Sequence, residues 1–226
     1  MSIRLQRLVW VATLLFAFSM SSESVAAPHA RDDFYVQLTT GFGLPHFAIT
    51  ADDAPDHYAS SESGVSACGS LLLGVPLRPG VVLGVGGLLA LSFTSSPKIT
   101  RNGQPWALVD VQEQSSLFTS IVGPFVDIYP SSTLGWHMQA LAGYANVTYA
   151  QITQHPFFDG SPSGIGLMAG VGHDWWINAH WSIGLLARVS YASMQLAPTA
   201  NSDRIGSISE HNTLVSPSLE ASFTAH

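Results

Sequence analysis

The sequence predicts an all-β protein: an eight-stranded antiparallel up-and-down transmembrane β-barrel, preceded by a cleavable signal peptide. Three observations predict it. Beyond the first segment, apolar residues recur with period two, the mark of strands with two different faces. The connections between those runs alternate long and short. Apolar types make up 46% of the 226 residues and charged types only 10%, yet no later stretch is apolar for long enough to form a spanning helix.

The first segment reads as an address. Arg4 and Arg7 form a positive head, Leu8 to Met20 is apolar, and Ser24-Val25-Ala26-Ala27 supplies small residues. That order is a secretory signal peptide over 1–26. The cut is expected after Ala26, because cutting after Ala27 would put Pro28 beside the scissile bond. Residues 27–226 then form a single barrel domain that is exported.

The first strand runs from Phe34 to Gly43, with Phe34, Val36, Leu38, Thr40 and Phe42 on one face and Tyr35, Gln37 and Thr39 on the other. Between Gly64 and Leu77, the odd set Val65, Leu71, Leu73, Val75 and Leu77 opposes Ser66, Cys68, Ser70, Leu72 and Gly74. From Val81 to Thr94, one face is Val81, Leu83, Val85, Leu89, Leu91 and Phe93, and the other is rich in Gly and Ala. Similar runs cover roughly 115–128, 135–148, 163–177, 181–194 and 212–224, which makes eight strands.

The links decide the architecture. Segments 44–63, 95–114, 150–162 and 195–211 are long, while 78–80, 129–134 and 178–180 are short, with turn residues such as Arg78-Pro79-Gly80. A meander with long loops at one end and tight turns at the other is how outer-membrane barrels are built. Backbone polar groups in lipid must be paired within the protein, so a strand-built spanner has to close on itself. A soluble β fold with its apolar face turned inward is the alternative architecture.

Aromatic residues gather at the short-turn end. Tyr129, Trp136, Trp175, Trp176 and Trp181 are expected to form an aromatic girdle at the lipid–water interface, with Phe34 and Tyr35 opening the first strand beside them. Acidic residues gather in the long links: Asp52, Asp53, Asp56, Glu62, Asp110, Glu113, Asp159, Asp203 and Glu210. His173 is the awkward member of the apolar parity, although it sits close to a short turn.

The chain resembles the small eight-stranded barrels of Gram-negative outer membranes, the group that includes OmpA-type, OmpX-type and OmpW-type proteins. The likeness spans Arg31 to Phe223 and rests on pattern. Its most family-like string is Gly123-Pro124-Phe125-Val126-Asp127-Ile128-Tyr129-Pro130, followed by Gly135-Trp136-His137. Such barrels commonly end on an aromatic residue, whereas here Phe223 is followed by Thr224-Ala225-His226. The resemblance implies a bacterial outer-membrane location, with outer-membrane lipid as the surrounding partner.

Composition and motifs exclude several functions. Eight Lys plus Arg against fifteen Asp plus Glu leave a net charge of −7, which offers no footprint for nucleic acid. One cysteine forms neither an internal disulfide nor a multi-cysteine zinc site. Neither G-x-S-x-G nor H-E-x-x-H occurs. Gly164-Ile165-Gly166-Leu167-Met168-Ala169 matches a dinucleotide fingerprint, but no helix pattern follows, so crowded inward residues are the better reading. Asp52-Asp53-Ala54-Pro55-Asp56-His57, with His46 nearby, lacks calcium-loop spacing and reads as a solvated acidic loop; His46, His57, His155 and His211 read as surface residues. No metal or cofactor is expected.

A lipid-modifying hydrolase would need a His and a Ser poised at the membrane rim. Only His211 and Ser193 lie near one another on adjacent strands, and the His-x-Ser-Asn string expected of a lipid A deacylase is absent.

The inward positions are more informative. Arg188 and Glu220 share the inward parity of the seventh and eighth strands and should lie within about two residues of opposite. Gln139 is on the inward face of the fifth. These three are expected to form a lumenal polar plug. The expected function is non-enzymatic: an envelope structural or surface-interaction role through long acidic extracellular loops that could meet an external ligand. The alternative is a narrow channel or binding barrel for small or hydrophobic solutes, as in OmpW-type proteins. Oligomeric state leaves no mark in the sequence.

Overall fold

The computed structural model describes residues 34–53, 56–94, 98–105, 115–131, 134–149, 161–178, 180–196 and 209–226. The signal segment and its cut after Ala26 lie outside the described residues, as do Asp110, Glu113, His155, Asp159 and Asp203.

Period-two alternation becomes strand throughout. In chain order the elements are β1 (Tyr35–Gly43), β2 (His46–Asp53), β3 (Asp56–Arg78), β4 (Val81–Thr94), β5 (Lys98–Arg101), β6 (Gln104–Pro105), β7 (Ser115–Ile128), β8 (Trp136–Tyr149), β9 (Ser163–Trp176), β10 (Trp181–Gln195) and β11 (Ser209–Ala225). β1 and β2 together make one stave of the barrel. The others are β3, β4, β7, β8, β9, β10 and β11, each antiparallel to its neighbours. β1 closes the ring between β3 and β11, with Leu38 opposite both Leu71 and Phe223. Closure leaves the eight staves of the ring without an open edge, which a strand in lipid could not tolerate.

The faces sort as a membrane barrel requires. Phe42, Val65, Val85, Ile165 and Leu219 point outward and are exposed, while inward Leu72, Leu88, Ile121, Phe125, Leu141, Met168, Leu186 and Leu214 are buried. Large apolar residues therefore coat the outside in a continuous belt, and the described residues include no helix long and apolar enough to cross a membrane. The strands do the crossing. Eight staves leave an interior just wide enough for side chains to fill.

Two of the long links are not loops throughout. Segment 44–63, expected as a loop, is mostly strand: β2 pairs with the upper part of β3, Phe47 facing Glu62, and with β11, Leu214 facing Phe47. The alternation of Tyr35, Gln37 and Thr39 simply continues through Pro45 as Phe47, Ile49 and Ala51, all of them buried. Pro45 has no N–H and so interrupts the ladder, but the register holds, with Gly43 opposite Ser66 and His46 opposite Ser63. Segment 95–114 contains the β5–β6 hairpin. Its turn residues Asn102 and Gly103 have φ of 52° and 76°, the left-handed pair that a two-residue hairpin turn demands.

Candidate functional site

The lower half of the lumen, toward the short turns, holds a column of buried polar side chains drawn from seven staves. At its centre Arg188 Nη1 donates to Glu220 Oε2 at 2.7 Å and to Ser70 Oγ at 2.8 Å, while Nη2 donates to Gln139 Oε1 at 2.6 Å and Gln37 Oε1 at 3.3 Å. Thr39 also donates to Glu220 Oε2, and Ser218 donates to Oε1 at 2.8 Å. The three residues expected to form a plug are thus brought together. Arg188 lies opposite Ser218, one inward step from Glu220.

Gln139 couples this cluster to a second one below it. Its Nε2 donates to Gln37 Oε1 at 2.8 Å and to Asp127 Oδ2 at 3.0 Å. Asp127 also accepts from the Tyr35 hydroxyl at 2.8 Å and faces His137 Nδ1 at 3.0 Å. Facing a carboxylate, that nitrogen carries the proton. On its other side His137 Nε2 lies 3.8 Å from Asp174 Oδ1. Asp174 in turn accepts from the Tyr129 hydroxyl at 2.8 Å. The Tyr129 ring stacks on His137 with centroids 4.7 Å apart. Each carboxylate is thereby hydrogen-bonded, as buried charge requires.

Glycines on the neighbouring strand make the room. A Cβ on Gly170 would stand 2.7 Å from Arg188 Cγ, and one on Gly172 would collide with the His137 ring. The Gly164–Ala169 string and its continuation are therefore a steric niche on a strand, with no nucleotide-binding helix after them.

Asp127, His137 and Asp174 were not singled out from the sequence. Their inward parity was legible: Asp127 follows Phe125 by two residues, and His137 precedes Gln139 by two. What sequence does not carry is which strands face each other across the lumen.

The girdle needs correction at two of its five positions. Trp136, Trp175 and Trp181 lie on the outward parity; Trp136 meets His173 edge-on at 4.9 Å, and Trp181 stacks on Phe223 at 4.8 Å. His173 thus sits between aromatic rings, 4.8 Å from Trp175. Tyr129 instead is only 4% exposed and points into the lumen, as does Tyr35. Trp176 follows Trp175 on the opposite face and packs on His226 at 4.3 Å. His226 also meets Tyr35 and Tyr129 edge-on at 5.7 and 6.1 Å, so these rings close the lower mouth. Tyr129→Phe should consequently cost about 1–2 kcal/mol of stability through the lost bond to buried Asp174. Urea unfolding in micelles checks this, since a residue of the lipid-facing girdle would show almost no change.

Above the column lies a cavity of about 30 Å³ bounded by Cys68, Leu88, Thr119, Ile121, Ser216 and Glu220. It has room for a water or two. Higher still, Phe47, Ile49, Leu117, Val147 and Met194 are buried together and cap the lumen.

The acidic residues also need correction. Glu62 and Glu210 do not face the outside: both are buried on inward parity, Glu62 accepting from Thr94 at 2.7 Å and Glu210 from Asn212 at 2.9 Å. Asp56 binds Arg101 and accepts from Asn102 at 3.0 Å, with the Arg101 guanidinium 5.8 Å over the Tyr58 ring. The Arg101 hydrogen bond holds the Asp56 carboxyl below the usual carboxylate range. His46 Nδ1 lies 2.9 Å from Ser63 Oγ, and His211 Nε2 lies 3.5 Å from Ser193 Oγ; both pairs are exposed.

An eight-stave ring, an apolar outer belt and a filled lumen define a small closed β-barrel of the outer-membrane type. No protein-family profile matches the chain, and no curated protein sequence does. Among solved structures, Neisserial surface protein A is similar at 12% identity and a TM-score of 0.46, covering 85% of this chain and 96% of that one. Outer membrane protein OprG from Pseudomonas aeruginosa is similar at 11% identity and a TM-score of 0.47, covering 87% and 98%. Outer membrane protein AlkL, solved in lipid bilayers, is similar at 10% identity and a TM-score of 0.48, covering 91% and 96%.

Proposed function

We propose that the protein is a sealed barrel of the bacterial outer membrane, with a non-enzymatic envelope or surface-interaction role exerted from its outer end. The observation that carries this reading is the filled lumen. Polar residues from Arg188 down to Tyr129 occupy its lower half, and Phe47, Ile49 and Met194 occupy the top. What remains available to a partner is the outer surface and rim. Among the described residues, the cavity above the column, at about 30 Å³, is an order of magnitude below the roughly 300–1,000 Å³ of ordinary small-molecule sites. That supports the sealed barrel over the solute-binding alternative.

Two measurements test the proposal together. The native protein, extracted from separated membranes, should sit in the outer fraction and show a heat-dependent shift in gel mobility. The same protein in planar bilayers should stay electrically silent over many insertions. Regular conductance steps would overturn the sealed reading, and release of the protein by carbonate washing would overturn the membrane reading.

A further inference from the structure

The short-turn end of the lumen is closed by a side chain from beyond the last strand. β11 ends at Ala225, and the ring of the next residue, His226, lies among three aromatic rings. Their centroids are 4.3 Å away for Trp176, 5.7 Å for Tyr35 and 6.1 Å for Tyr129. Tyr35 and Tyr129 are 1% and 4% exposed, whereas Trp176 and His226 are half-buried, so this cage has a closed floor and an open side. His226 Nε2 lies 3.0 Å from Ser182 Oγ, and its backbone N–H donates to His180 O at 2.8 Å. Because His226 lies beyond β11, swinging its ring out of the cage leaves the strand ladder intact.

The charge behind the cage is negative. Arg188 is paired with Glu220, which leaves Asp127 and Asp174 as the carboxylates of the lower cluster. His137 stands between them, with Nδ1 3.0 Å from Asp127 and Nε2 3.8 Å from Asp174. A single imidazolium there neutralises only one of the two. Arg188 is the only buried Lys or Arg among the described residues. The Tyr35 and Tyr129 hydroxyls donate to these same carboxylates, which pushes electron density onto the rings that border His226. Electron-rich rings backed by uncompensated carboxylate are complementary to a cation.

We propose that this cage is a binding site for a small planar organic cation of the guanidinium or amidinium class, which enters from the short-turn end. His226 occupies the cage in its absence. Planarity follows from the flat imidazole whose place the cation takes beside Trp176. The site ends blindly beneath Asp127 and Gln139, so the seal of the lumen is untouched. It lies at the opposite end of the barrel from the surface role proposed above and does not depend on it.

The full chain in phosphatidylcholine nanodiscs would be titrated with methylguanidinium and with methylurea, its neutral and equally flat counterpart. The indole resonance of Trp176 and the ring resonances of His226 report on the cage by NMR. In the parent, methylguanidinium should move both together as the imidazole is displaced, and methylurea should leave them in place. His226→Ala removes the competitor and should raise affinity for methylguanidinium about tenfold or more, while adding Trp176→Leu should take back about tenfold. Heat-dependent gel mobility checks that each variant is folded, and the parent titration stands without them. Equal responses to the two compounds would make the cage plain apolar packing and overturn the inference. So would parent resonances that ignore methylguanidinium, or an unchanged affinity in a folded His226→Ala variant.

Discussion

Arg188→Ala should lower the unfolding free energy of the barrel by about 3–5 kcal/mol, because it strands Glu220 in a buried site with its cation removed. The guanidinium makes five hydrogen bonds across the lumen, to Thr39, Ser70, Glu220, Gln37 and Gln139, and is only 2% exposed. Lys98→Ala, on the exposed rim, should stay within about 0.5 kcal/mol of the parent. Urea titration of the full chain in micelles reads both, and equal midpoints would remove the ion pair from the account of stability. Combining Arg188→Met with Glu220→Leu should recover most of the loss, since a packed apolar pair carries no uncompensated charge.

Asp127→Ala should be comparably severe, at about 3–6 kcal/mol. Three donors lose their acceptor at once: the Tyr35 hydroxyl, Gln139 Nε2 and His137 Nδ1. Asp127→Asn keeps one carbonyl oxygen in place and should cost about 1–2 kcal/mol. Gln139 bridges Asp127 to Arg188, so the Asp127→Ala, Arg188→Ala double variant should depart from additivity by about 0.5–3 kcal/mol. Strict additivity would mean two independent clusters instead of one column.

Parity made most of the barrel legible, because lipid on one side and a filled lumen on the other force strict alternation. It placed Arg188 and Glu220 on inward faces, and hairpin pairing of adjacent strands brought them together. Parity also contained the correction to Tyr129, which lies in step with Phe125 and Asp127; proximity to a turn was the weaker signal. The extension of β2 was hidden because Pro45 and the acidic cluster beginning at Asp52 look like loop residues. The meeting of Tyr129 with Asp174 spans 45 positions in the chain and depends on barrel curvature, which no local pattern encodes.

The composition of the column has a kinetic consequence. Gln37 and Thr39 come from the first stave, Glu220 from the last, and Arg188, Gln139 and Asp127 from three staves between. Their bonds bring together residues as far apart in sequence as Thr39 and Glu220, 181 positions. Contacts of that separation demand the loop-closure entropy of the entire chain before they return any enthalpy. The bonds of Gln37 and Thr39 therefore cannot form ahead of closure of the ring by β1, whereas Arg188–Glu220 and Asp127–His137 each lie within one hairpin and need only their own two strands. Closing the ring is thus the step that joins pairs already within reach of each other into one column.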